Sequence, residues 1–153
     1  MQFFFKMLIG HFIIIIITCF ISFFFSEYQV NDSILLSCTF IFFLLLYIYS
    51  GYYFTNKKNK WYSYFAVGIL GVLFWSICYS MSFESTNYKQ DNNAGVWFIY
   101  ELYILPKFPL YFFNSNNYSL KLDLIEKLIF PIIFSLCQFL GGYFRTYKIE
   151  NII

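Results

Sequence analysis

Three polar side chains inside long apolar runs are the residues of this sequence best placed to do chemistry. They are His11, Tyr47 and Gln138. Histidine exchanges a proton near neutral pH, and polar groups within a membrane commonly mark the path of a proton or solute. The same residues also suit a structural hydrogen bond between helices, worth about 0.6 kcal/mol. The sequence leaves both interpretations open.

The three residues are predicted to lie at one depth. His11 is eight residues from Phe3, Tyr47 is seven from Phe54, and Gln138 is six from Phe144. At about 1.5 Å per residue, each lies roughly 9–12 Å from the same boundary if neighbouring helices run in opposite directions. The sequence therefore predicts an intramembrane polar layer of His11, Tyr47 and Gln138.

Small and aromatic residues recur at helical spacing in the third and fourth apolar runs. Residues three and four apart share one face of a helix, and small residues on such a face let two backbones approach closely in lipid. This pattern predicts a helix-packing face formed by Gly68, Gly71, Trp75 and Gly142.

No set of residues suited to catalysis or to metal or cofactor binding is found in the sequence. It has one histidine, and its four cysteines lie in four different apolar runs without a CxxC pair: Cys19, Cys38, Cys78 and Cys137. We therefore expect no catalytic residue, no metal site and no cofactor, and we expect that the protein is not an enzyme. A disulfide between Cys38 and Cys78 is the one pairing left open.

Four continuous apolar runs must position these residues. They cover about residues 3–25, 34–54, 61–83 and 124–144. Each has about the 20 residues that a helix needs to cross a bilayer, and the runs do not alternate as barrel strands would. The sequence predicts an all-α membrane protein, a four-transmembrane-helix bundle that forms a single integral membrane domain over residues 1–153.

The amino-acid composition limits the classes of partner that the chain is expected to bind. The chain is 60% hydrophobic and 12% charged. Soluble proteins differ clearly, since about 25% of their residues are charged. Its net charge of +2 is too small to indicate nucleic-acid binding. The expected partners are the lipid bilayer, other membrane proteins and further copies of the chain. The abundance of Phe, Ile, Tyr, Asn and Lys suggests an AT-rich genome, typical of a low-GC bacterium.

The loops differ in charge, which predicts the orientation. Residues 26–33 carry Glu27 and Asp32 but no lysine or arginine, whereas residues 55–60 carry three lysines. The positive-inside rule places residues 55–60 in the cytoplasm. Both termini are therefore expected to be cytoplasmic, in a multi-pass protein of the cell membrane.

The outer loop, residues 84–123, contains an apolar segment at 96–113. A fifth crossing is the alternative there, but Glu101 and Lys107 would each cost about 2.5–3.5 kcal/mol in mid-bilayer. We expect instead a short interfacial or re-entrant helix of about ten residues, at the outer interface, that ends at Pro106 and continues as an extended stretch.

The last helix has further local signals. Ser119 is expected to cap it, Asp123 and Lys127 are one turn apart, and Pro131 should kink it. Glu126 and Lys127 are expected to be boundary charges that reach headgroup water.

These features favour a non-enzymatic membrane protein that acts through helix–helix contacts, as an accessory or immunity-type protein. The alternative is a small transporter or channel subunit in which the polar layer lines the pathway.

Overall fold

The computed structural model describes residues 2–28, 32–55, 61–81, 94–113 and 120–150, and every regular element within them is helical. The elements are α1 (Gln2–Glu27), α2 (Ser33–Phe54), a 3₁₀ turn (Trp61–Phe65) leading into α3 (Ala66–Met81), α4 (Ala94–Tyr103), a 3₁₀ segment (Leu105–Phe113) and α5 (Leu120–Glu150). Four of these stretches are long and apolar enough to cross a membrane, at Gln2–Glu27, Ser33–Phe54, Trp61–Met81 and Asp123–Tyr147. The predicted all-α fold with four long apolar helices is confirmed.

The ends of α2 show how side chains complete the helices. At its start, Asp32 Oδ1 accepts a hydrogen bond of 2.8 Å from the backbone N–H of Ile34. At its end, the Arg145 guanidinium donates to the carbonyl oxygens of Tyr52 and Tyr53, at 2.8 and 2.6 Å. Helix termini leave such groups without intrahelical partners, and a cation at the carboxyl end also complements the helix dipole. The predicted cap at Ser119 lies outside the described residues.

Helices α2 and α5 cross at two glycines. A Cβ atom on Gly51 would overlap the backbone carbonyl of Gln138, and one on Gly141 would overlap the backbone carbonyl of Ile48. Only hydrogen fits on either side of this crossing, so the two backbones are in direct contact. The crossing brings the side chains on the preceding turns of both helices together in the interior.

One end of the bundle collects the start of α1 and the end of α5. The Phe3 ring packs edge-on against Tyr64, with ring centroids 5.0 Å apart. Tyr64 in turn lies against Gly142, and Arg145 lies against the end of α2. The four long helices therefore alternate in direction, as the predicted depth of the polar layer requires.

The inserted segment, our name for residues 94–113, packs one of its faces against the interior of the bundle. Tyr100, Ile104 and Lys107 have no exposed surface, and the Phe108 ring lies between Phe25 of α1 and Phe43 of α2. The segment therefore contacts α1, α2 and α5, and its place relative to a bilayer, interfacial or re-entrant, stays a prediction. Three aromatic side chains on this inner face, Tyr100, Tyr103 and Phe108, supply much of the contact, because an aromatic ring buries a large apolar area.

The path after α4 corrects one expectation. Helix α4 ends at Tyr103, close to the predicted end, but the residues that follow form a 3₁₀ helix rather than an extended stretch. Its first bond is 3.0 Å from the Lys107 N–H to the Ile104 carbonyl. Pro106 lacks an N–H, and the first turn of a helix does not need one. Proline there begins a helical turn as readily as it ends one.

Candidate functional site

The polar layer begins with a hydrogen bond between α1 and α2. His11 Nδ1 and the Tyr47 hydroxyl are 2.6 Å apart, and neither residue has exposed surface. On its other side, the Tyr47 ring stacks on Phe134 of α5, with centroids 4.5 Å apart and planes within 5°. The Tyr103 ring of the inserted segment covers the imidazole at a centroid distance of 4.4 Å. Helices α1, α2 and α5 and the inserted segment therefore meet at this pair.

Gln138 lies on the adjacent turn. Its Nε2 donates to the Met7 carbonyl at 3.1 Å and to Ser50 Oγ at 3.2 Å. Met7 is one turn before His11 on α1, and Ser50 is one turn after Tyr47 on α2. The three predicted residues thus occupy neighbouring levels of the same three helices. His11 and Gln138 are linked through those helices and not by a described hydrogen bond.

Two atoms of the layer have unused hydrogen-bonding capacity among the residues that the structure describes. His11 Nε2 and Gln138 Oε1 are buried and have no partner there within hydrogen-bond geometry. The Tyr103 backbone also interacts with the imidazole, but outside that geometry. Buried polar atoms without partners are rare, and each one costs free energy. These two atoms are the positions at which the layer could bind a further polar group.

The predicted packing face lies at the contact of α3 with α5. The Gly68 N–H donates to Ser135 Oγ, and a Cβ on Gly71 would overlap the Pro131 ring. Trp75 Nε1 donates to the Leu124 carbonyl at 3.1 Å. Gly142 of α5 faces the Tyr64 ring. The sequence pattern did not single out Gly51 and Gly141, although a glycine in each of two apolar runs is the usual signal of a close crossing.

A cluster of ion pairs lies at the other end of the bundle; the sequence predicted the Asp123–Lys127 pair within it, which is confirmed, but not the pairs to the inserted segment. Lys127 Nζ is 2.6 Å from Glu101 Oε1 and 3.1 Å from Asp123 Oδ2, and Lys107 Nζ is 3.4 Å from Glu126 Oε1. Glu101 and Lys107 come from the inserted segment, and the other three come from α5.

Burial sets the properties of this cluster. The side chains of Lys107 and Lys127 are only 0% and 3% exposed. The expectation that Lys127 reaches headgroup water is therefore wrong, because the carboxylates of the cluster enclose its ammonium. Burial lowers the pKa of Lys107, while the carboxylates of Glu101 and Glu126 act in the opposite direction. The signal available in the sequence was charge complementarity. Glu101 and Lys127 are opposite in charge, and so are Lys107 and Glu126.

The cysteines and acidic residues form no metal site among the described residues, where no group of three or more potential ligands occurs. All four cysteines are free thiols, so the pairing of Cys38 with Cys78 is not present.

No protein-family model, curated protein or solved structure matches this chain.

Proposed function

We propose that the chain is an integral membrane protein whose four long helices cross the bilayer, with the inserted segment re-entering from the outer side. The support is the outward face of every helix. Phe20, Leu45 and Leu73 are more than half exposed, as is Phe98 on the outward face of α4. A soluble monomer rarely exposes apolar patches of more than a few hundred Å², whereas a lipid-facing surface is apolar throughout.

The proposed orientation has both termini in the cytoplasm of a bacterial cell. Lys57, Lys58 and Lys60 follow α2, and Arg145 lies at the same end of the bundle, against the last turn of α2. Positive charge at one end is what the positive-inside rule associates with the cytoplasmic face. Aromatic residues that suit an interface, such as Trp61 and Tyr143, are exposed near that end.

The function that we propose is that of an accessory or immunity-type protein, without catalysis or cofactor, that acts through helix–helix contact with another membrane protein or a second copy. The observation that carries it is the division between interior and surface. The interior polar groups bond the helices of one chain to each other, as in the His11–Tyr47 and Gln138–Ser50 bonds. What remains for a partner is the apolar outer surface, where van der Waals packing drives association in lipid.

Photo-crosslinking tests this proposal. A photoreactive residue is placed at outward positions on the four long helices, at Ile13, Leu45, Leu73 or Leu140, and at the buried Phe134 as the matched control. In native membranes we expect a discrete protein adduct from one or two neighbouring faces and none from Phe134. Adducts with lipid alone from all four outward positions would contradict the proposal.

One observation favours the alternative, a small transporter or channel subunit. His11 Nε2 and Gln138 Oε1 are buried with capacity for a further polar group. In proteoliposomes containing a pH-sensitive dye, proton flux that His11→Phe abolishes would support this alternative. Under the contact proposal, His11→Phe costs about 1–3 kcal/mol of stability, because the buried Tyr47 hydroxyl loses its partner, and leaves the crosslinking pattern unchanged.

A further inference from the structure

The Lys107 ammonium lies in the interior of the bundle, on the 3₁₀ helix that follows α4 in the inserted segment. Its side chain is 0% exposed, Glu126 Oε1 is 3.4 Å away, and the Phe130 ring centroid is 5.5 Å away. Both Glu126 and Phe130 belong to α5, so this contact fastens the inserted segment to α5.

The charged groups that act on Lys107 come from two elements. Glu101 of α4 and Glu126 of α5 attract the ammonium, and Lys127 of α5 repels it. Lys127 is itself held by Glu101 and Asp123. Helices α1 and α2, which also pack against this stretch, contribute the rings of Phe25 and Phe43 against Phe108. The carboxylates of α4 and α5 are therefore what makes a buried ammonium tolerable here.

The two ends of the pH scale affect this contact differently. In acid the carboxylates take up protons while the lysine stays charged, so an ammonium is left in an apolar interior without a counter-charge. In base the ammonium loses its proton, and a neutral amine can stay buried. Burial lowers the pKa of Lys107, so its own titration reduces stability only as the pH falls from the ordinary lysine range to the lowered pKa, and below that the loss of the carboxylate charges acts alone. Acid, and not base, is the condition that releases the segment.

The inserted segment also covers the polar layer. Tyr103 lies on the imidazole of His11, and its hydroxyl donates to the Val67 carbonyl of α3 at 2.6 Å. We infer that the inserted segment is an acid-released lid, fastened to α5 by the Lys107–Glu126 and Glu101–Lys127 pairs, whose opening gives water access to the His11–Tyr47 pair. The inference concerns a movement within one chain and does not depend on the proposed partner.

Hydroxyl-radical footprinting of the intact protein in proteoliposomes tests the lid, because oxidation of an aromatic ring reports its access to water. We expect oxidation of Tyr100 and Phe108 to rise several-fold between about pH 7.5 and about pH 4, which covers the range in which carboxyl groups ordinarily take up protons. Tyr64, at the other end of the bundle, should stay protected. A parallel rise at Tyr64 would mean general unfolding and would overturn the inference.

Three variants separate the lid from a merely structural contact. Lys107→Met combined with Lys127→Met removes both buried ammonium groups but keeps apolar chains of similar length, so both rings should stay protected at both pH values. Glu101→Gln combined with Glu126→Gln removes the carboxylates that attract Lys107, so oxidation should be high already at neutral pH. Asp123→Asn is the matched control, because Lys127 keeps Glu101, and it should behave as the unchanged protein does. An acid response that persists without the two lysines, or protected rings at neutral pH without the two carboxylates, would overturn the inference.

Discussion

Gly141→Ala is expected to destabilise the folded bundle strongly. The added methyl group would overlap the Ile48 carbonyl of α2, which is backbone and cannot rotate away. The helices would have to separate, and the Gln138–Ser50 bond and the Tyr47–Phe134 stack would be lost with the crossing. We expect a loss of about 3 kcal/mol or more in the free energy of unfolding, at the upper end of the cost of overpacking. Thermal unfolding of the protein purified in detergent measures it.

Gly10→Ala is the matched control. It is the same substitution in a neighbouring apolar helix, but the nearest atoms are side-chain atoms of Ser50 and Phe54, both at 3.2 Å. Contacts of 3.2 Å need a shift of only a few tenths of an ångström, in the Phe54 ring and in the spacing of α1 and α2, so a small change in stability is expected. Equal effects of the two substitutions would show that the backbones of α2 and α5 are not in contact at Gly141.

Tyr100→Phe is expected to cost about 1–3 kcal/mol of stability, although it removes a single oxygen atom. Pro131 has no N–H, so the carbonyl of Lys127, four residues earlier in α5, lacks its usual helical partner. The Tyr100 hydroxyl donates to that carbonyl at 2.9 Å. Removing the hydroxyl leaves a buried carbonyl without a donor, and the midpoint of thermal unfolding should fall.

The cause can be isolated by restoring the helical donor. Alanine at position 131 supplies an N–H to Lys127, so Tyr100→Phe should cost less in the Pro131→Ala background, with a coupling energy of about 1 kcal/mol. Tyr103→Phe is the matched control, because the Val67 carbonyl that it contacts lies four residues before Gly71, which retains its N–H. Identical costs of Tyr100→Phe in both backgrounds would rule out this role for the hydroxyl.

The sequence was sufficient to predict the four long helices, because each apolar run by itself has the length that a helix needs to cross a bilayer. It also predicted that His11 and Tyr47 lie at one depth, because the depth of a residue follows from the number of residues between it and the end of its helix. Both inferences need only local properties and the alternating direction of successive helices. The proposed kink at Pro131 is of the same local kind and stays a prediction.

The packing of the inserted segment against the bundle could not be obtained in that way. Glu101 and Lys107 were each assigned the cost of an isolated charge, and that cost argued for a place at the interface. Their pairing with Lys127 and Glu126 offsets it, but these partners lie 26 and 19 residues away in sequence. Similarly, Gly51 and Gly141 reveal their role only once α2 and α5 are known to cross. Long-range contacts of this kind depend on the whole fold.

Labelling on both sides of the inserted segment tests the account most directly. Single cysteines are placed at Asn93 and at Ser115, in a background in which the four native cysteines are replaced, and an impermeant maleimide is added to intact cells. A segment that enters and leaves the bundle on the outer side predicts labelling at both positions. Labelling at Asn93 with protection at Ser115 until the cells are opened would show a fifth crossing and contradict the four-helix account.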